Sequence, residues 1–195
     1  MTRRELIQKT TMALGYTLSG STLLGIMNGC EPKREVGFAP TFFNKQQALV
    51  IADLAETILP RTTTPGAKDV GVPAFIDNFV REIYSKADQE KFLSDLNAFN
   101  IGMGSNKFSE SSSEEQKKYA ADIHSKAIAE AKSTSEGWWN TAKVERPFIL
   151  KMKELTILGF FTSKPGASEV LQYNAVPGPY QGCVPLKEVG KAWAT

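Results

Sequence analysis

From residue 44 onward, apolar side chains recur at the three- and four-residue spacing of amphipathic helices. No run alternates apolar and polar positions in a way that demands a sheet. Ile51, Leu54, Ala55, Ile58 and Leu59 form one stripe of a first helix, which Asn44 can cap and Pro60 stops. Residues 61–71 read as a loop, with Thr64-Pro65-Gly66 as its turn. Val72, Phe75, Ile76, Phe79, Val80 and Ile83 predict a second helix, with Pro73 in the first turn, where proline is tolerated. A third helix is expected to begin at Asp88, to turn Phe92, Leu93, Leu96, Phe99 and Met103 inward, and to end at Gly102 and Gly104. Ser109 to Ser113 lead into a fourth, lined by Tyr119, Ala120, Ile123 and Ala127, and residues 133–137 break its pattern.

The stretch 146–161 is different. Phe148, Ile149, Leu150, Met152, Leu155, Ile157, Leu158, Phe160 and Phe161 occupy most of a helix circumference. A helix apolar nearly all round must be buried on most sides, so it is either the central helix of the domain or partly covered by another protein. Beyond Thr162 the chain is rich in proline and glycine, with a short helix expected near 168–173 and an irregular, extended tail over 176–185. The pattern predicts an all-α single domain of about five to six helices with an irregular Pro/Gly-rich C-terminal tail. No internal repeat is present.

The first thirty residues follow another logic. Thr2-Arg3-Arg4-Glu5-Leu6 precedes a mild apolar stretch from Thr10 to Gly29, diluted by Gly15, Ser19, Gly20 and Ser21. Paired arginines ahead of a weakly hydrophobic core make a twin-arginine export signal, with Gln8 where a lysine often stands. The stretch ends Met27-Asn28-Gly29-Cys30, which resembles a lipoprotein cleavage box, although Met27 and Asn28 are atypical. Lipid on Cys30 would tether the domain to a membrane surface. The alternatives are an uncleaved anchor, for which the run is long enough but poor in composition, or an ordinary first helix, which would be amphipathic. The expected division is a signal over 1–30, a linker over 31–43 and a helical domain over 44–195, and the expected location is periplasmic and membrane-anchored.

Composition narrows the function. The chain has 195 residues and a formal charge of +2, and Arg3, Arg4 and Lys9 against Glu5 account for that whole excess. The remainder is neutral, without the basic footprint that nucleic-acid backbones require. Cys30 and Cys183 match no zinc or redox spacing. His124 is the only histidine, on a helix of mixed charge, and reads as structural rather than as a catalytic base. There is no glycine-rich nucleotide loop, no haem-attachment motif and no iron–sulfur cysteine cluster. Glu114 and Glu115 pair along a helix surface with Lys117 and Lys118. Glu154 interrupts the apolar helix, either to cap a buried hydrogen bond or to reach a partner. Trp138 and Trp139 read equally as core plugs or interface anchors. Phe160 and Phe161 lean toward the core, and Tyr180 toward an interface. Cys183 is a free thiol, a disulfide partner of Cys30 or, the reading preferred here, a packed apolar residue. The candidate partner surface is thus Trp138, Trp139, Glu154, Phe160, Phe161, Tyr180 and Cys183, with no catalytic, cofactor-binding or metal-ligating residue identified. A folded-cargo signal on a domain without a cofactor site suggests that the cofactor belongs to a partner.

Three segments carry a family resemblance. They are Glu56-Thr57-Ile58-Leu59-Pro60 through Thr64-Pro65-Gly66-Ala67 to Gly71-Val72-Pro73-Ala74-Phe75-Ile76-Asp77, then Lys153 to Ser163 with Gly166-Ala167, then Val176 to Cys183. In order and spacing they resemble the gluconate 2-dehydrogenase subunit 3 family, whose members commonly carry a twin-arginine signal ending near a cysteine. The resemblance implies a helical, non-catalytic small subunit paired with a large flavoprotein of the glucose-methanol-choline type. That large subunit would hold FAD and oxidise a sugar, sugar acid or glycoside, and a cytochrome c or another acceptor would take the electrons. The expected role is to bind, stabilise and escort the flavoprotein for export. The rivals are a free-standing periplasmic lipoprotein that binds a ligand or another protein, and an enzyme in its own right.

Overall fold

In the computed structural model, side chains of Asn44, Ser85 and Ser112 satisfy the first free backbone groups of three of the helices. Residues 36–104, 107–134, 146–173, 175–176, 178–179 and 182–194 are described. Helix α1 spans Lys45–Ile58 and opens on a reciprocal capping box. Gln47 N donates to Asn44 Oδ1 at 2.9 Å, and Asn44 N donates to Gln47 Oε1 at 3.1 Å. Helices α2 (Val72–Ile83) and α3 (Lys86–Ile101) follow. Helix α3 starts before the expected Asp88 because Ser85 is the cap, its hydroxyl accepting from Asp88 N at 3.2 Å. The buried Gln89 amide then donates to the carbonyls of Val80, Arg81 and Tyr84, closing the free end of α2. A 3-10 turn at Phe108–Glu110 leads to α4 (Ser113–Thr134), and α5 spans Phe148–Thr162.

The loop between α1 and α2 is held by carboxylates. Glu56 accepts from the backbone N–H groups of Arg61 and Lys68, each at 2.9 Å. Asp69 accepts from Gly66 N at 2.8 Å and faces Arg61 Nε at 3.3 Å. Lys68 Nζ reaches Asp53 at 2.7 Å. A Cβ on Gly66 would collide with the Glu56 carboxylate and stand 2.7 Å from Arg61 N, so only glycine fits. Gly71 takes φ +78°, which lets the chain turn directly into α2.

The expected linker 31–43 is part of the domain from residue 36. Phe43 is buried, and Val36, Phe38 and Phe42 pack against the core. The reason is Asp77 of α2, itself 2% exposed. Its carboxylate accepts from the N–H groups of Thr41 (2.8 Å), Phe42 (3.1 Å) and Phe43 (2.9 Å), and from the Thr41 hydroxyl (2.7 Å). Hydrophobic periodicity cannot reveal such a clamp, because it lies between segments more than thirty residues apart.

Helix α5 packs against α1, α2, α3 and α4, and with α1, which also touches every other long helix, it forms the centre of the domain. Gly159 lets α2 approach, since a Cβ there would stand 2.6 Å from the Phe75 ring. At its other end, the Phe148 ring lies 5.3 Å from Phe92 and 5.5 Å from Phe99, within the range of favourable aromatic pairing. The fold is all-α, as expected, and among the described residues the only β pairing is a single bridge between Gln172 and Trp193. The helix expected at 168–173 is instead a π turn over Gly166–Val170. After the irregular stretch, a one-turn helix, α6 (Leu186–Val189), brings the chain back to Gln172. Gln172 N donates to Ala192 O at 2.9 Å, and its side-chain amide donates to Val189 O and Lys191 O, each at 2.6 Å.

Asp77→Asn is expected to cost about 2–3 kcal/mol, the scale of hydrogen bonds to a charged acceptor. Burial pushes the Asp77 carboxyl up, but the bonds from residues 41–43 outweigh it and hold the group below its ordinary 3.8. A depressed folded-state value makes the contribution complete above 3.8 and lost as pH falls through the folded value. Urea unfolding should therefore show the wild-type advantage over Asp77→Asn at neutral pH, and that advantage should shrink in acid.

Candidate functional site

Helix α5 has two apolar faces. Ile149, Met152, Leu155, Thr156, Gly159 and Phe160 form the inner one and are buried. The outer one recurs at Leu150, Glu154, Ile157, Leu158 and Phe161, the four- and three-residue steps of a single helix stripe. Ile157 is 37%, Leu158 44% and Phe161 36% exposed. These three side chains lie within two adjacent turns of a single central helix, so the stripe is preformed rather than assembled on contact. Burying large apolar side chains like these is favourable by about 1.5–3 kcal/mol each when complete.

The candidate residues divide along this line. Phe160 and Phe161 are neighbours with rings edge to face, 5.2 Å apart. Phe160 turns inward and is 4% exposed, so its place is the core rather than a contact surface. Phe161 turns outward and stays in the candidate surface. Glu154 caps no buried group. It forms an exposed ion pair with Arg146 in the middle of the outer face, an arrangement that contributes little to stability. Burial pushes the Tyr84 phenol up, and the charges of Asp88 and Glu154 add to that. Cys183 is an exposed free thiol and not the packed residue expected, because the tail around it is exposed as well. Arg3, Arg4, Cys30, Trp138, Trp139 and Tyr180 lie outside the described residues.

Ile157 and Leu158 are the residues that the sequence reading did not single out. Their signal was the excess of apolar side chains around one helix, which shows that one face is surplus to the core but not which face. The structure supplies that choice through Gly159 and Phe160, which fix the inward side. Among the described residues, no three His, Cys, Asp or Glu side chains are grouped as metal ligands.

The family signature has a structural explanation. Glu56, Gly66, Gly71 and Asp77 build the loop and its clamp, while Gly159 within α5 admits the Phe75 ring and Gly166 after it admits the Phe160 carbonyl. A family model described as gluconate 2-dehydrogenase subunit 3 matches residues 45–178. No curated protein and no solved structure matches the chain.

Paired substitutions separate the two faces. Phe160→Ala is expected to destabilise the chain by about 3–5 kcal/mol, and Phe161→Ser by distinctly less, about 1–2 kcal/mol, for its partly covered ring and its pairing with Phe160. Thermal unfolding followed by circular dichroism reads both. Equal effects would contradict the assignment of inner and outer faces.

Proposed function

Because the chain belongs to the gluconate 2-dehydrogenase subunit 3 family, we propose that it serves as the non-catalytic accessory subunit of a flavin-dependent dehydrogenase complex. In this reading it binds and stabilises a large FAD-containing subunit of the glucose-methanol-choline type, which oxidises a sugar, sugar acid or glycoside. The observation that carries the reading is the outer stripe Ile157, Leu158 and Phe161 on the helix that organises the fold. A preformed apolar stripe with an ion pair one turn before it has the make-up of a subunit contact, with an apolar core and polar groups beside it.

Export belongs to the same proposal. Arg3 and Arg4 head the signal, Cys30 takes the lipid, and the folded flavoprotein crosses to the periplasm as a passenger. A cytochrome c subunit would complete electron transfer at the membrane surface. The carboxylate-stapled loop and the Asp77 clamp support an escort role in a plain physical sense: they give a small chain a rigid shape to present to its cargo.

The test is co-purification from the native envelope, with the flavin absorbance measured per recovered chain. The wild-type chain is expected to bring down a flavoprotein with dehydrogenase activity. Ile157→Asp combined with Phe161→Asp is expected to lower that recovery by about tenfold or more, as loss of a contact hot spot does, with helix content unchanged. Arg3→Lys with Arg4→Lys should leave both proteins in the cytoplasmic fraction. A wild-type chain recovered alone under gentle extraction would overturn the proposal and favour a free-standing lipoprotein.

A further inference from the structure

A cleft of about 220 Å³ lies between α1, α4 and α5, and neither the fold nor the subunit contact makes use of it. Its apolar wall is made by Ile58, Ala120, Ala121 and Ile149. Its polar edge carries Lys117, His124 and Lys153, and no carboxylate lines it. Lys153 Nζ sits 3.2 Å from His124 Nε2, in a half-buried contact that joins α5 to α4. An ammonium group has only donors, so in this contact the facing ring nitrogen is the acceptor. Among the described residues no carboxylate is paired with Lys153. One hydrogen bond to an imidazole offsets only part of the cost of half-burying an ammonium, and two of its N–H donors remain for an anion. Lys117 leans on Glu114 at 3.3 Å with both ends exposed, a weak pair that an incoming anion can replace.

We propose that this cleft binds a small amphipathic carboxylate. The carboxylate accepts charge-assisted hydrogen bonds from Lys153 and attraction from Lys117, while its apolar body lies against Ile58, Ala120 and Ile149. The volume falls below the roughly 300–1,000 Å³ of pockets for drug-sized ligands. That suits an aromatic acid or a short acyl chain and excludes a flavin or dinucleotide. A sugar acid is disfavoured as well, because its hydroxyls would lose water against a hydrocarbon wall without finding partners. The inference stands on this cleft alone and does not depend on the accessory-subunit reading.

His124 is the only histidine in the chain, so the NMR signal of its ring carbon proton is a single reporter in the untagged full-length protein. Titration with sodium benzoate is expected to shift that signal saturably. Benzamide, which keeps the ring without the charge, and acetate, which keeps the charge without the ring, should each bind about tenfold more weakly. Lys153→Gln should weaken benzoate by a similar factor, and Ala121→Phe, at the exposed lip, should block it by filling the cleft. Circular dichroism checks that each variant is folded, and Ala121→Phe carries the test if Lys153→Gln is not. No saturable shift with benzoate, or equal shifts with all three compounds at matched ionic strength, would overturn the proposal.

Discussion

A helix that is apolar on almost every side has to be covered on almost every side, and among the described residues Phe148–Thr162 is fully buried on one side and only partly covered on the other. The buried side organises the domain, since α1, α2, α3 and α4 all pack against this helix. The other side leaves Ile157, Leu158 and Phe161 facing outward. Leaving roughly two-fifths of each of these side chains in water forgoes about 1 kcal/mol apiece, a disadvantage that a partner removes. The same helix therefore links the fold to the proposed role: the face that holds the domain together also holds the outer stripe rigid.

Around this helix, polar chemistry is used for shape. Asp77 gathers three successive backbone N–H groups and a hydroxyl. Glu56 and Asp69 close the loop that precedes α2, and Gln89 closes the end of α2. Buried Asp77 accepts from, and buried Gln89 donates to, backbone groups that would otherwise be costly to remove from water. The glycines at 66, 71 and 159 stand where a side chain would strike a neighbour or strain the backbone. The signature from Glu56 to Asp77 thus specifies a loop and a clamp, and its residues are occupied in structure. That arrangement is consistent with a subunit whose contribution to a dehydrogenase is a surface.

Much of this architecture was legible in the chain. Helical spacing located α1 to α5 because each buries one apolar stripe, and the excess of apolar positions over 148–161 marked a helix with more to cover than the core requires. What remained hidden depended on contacts between distant residues. The docking of residues 36–43 rests on a carboxylate on α2, and the return of the C-terminal segment rests on Gln172. Neither leaves a period in the sequence. The opposite fates of Phe160 and Phe161 turn on the rotation of a single helix, which adjacent identical residues cannot disclose. Lys153 and His124 meet across 29 positions for the same reason.

The most direct measurement is covalent footprinting of side chains in the free chain and in the assembled envelope complex. The account predicts strong protection of Ile157, Leu158 and Phe161 on assembly, with Ile83 and Ile101, which are exposed on other helices, labelled alike in both states. Equal labelling of the α5 stripe in the free chain and the complex would contradict it.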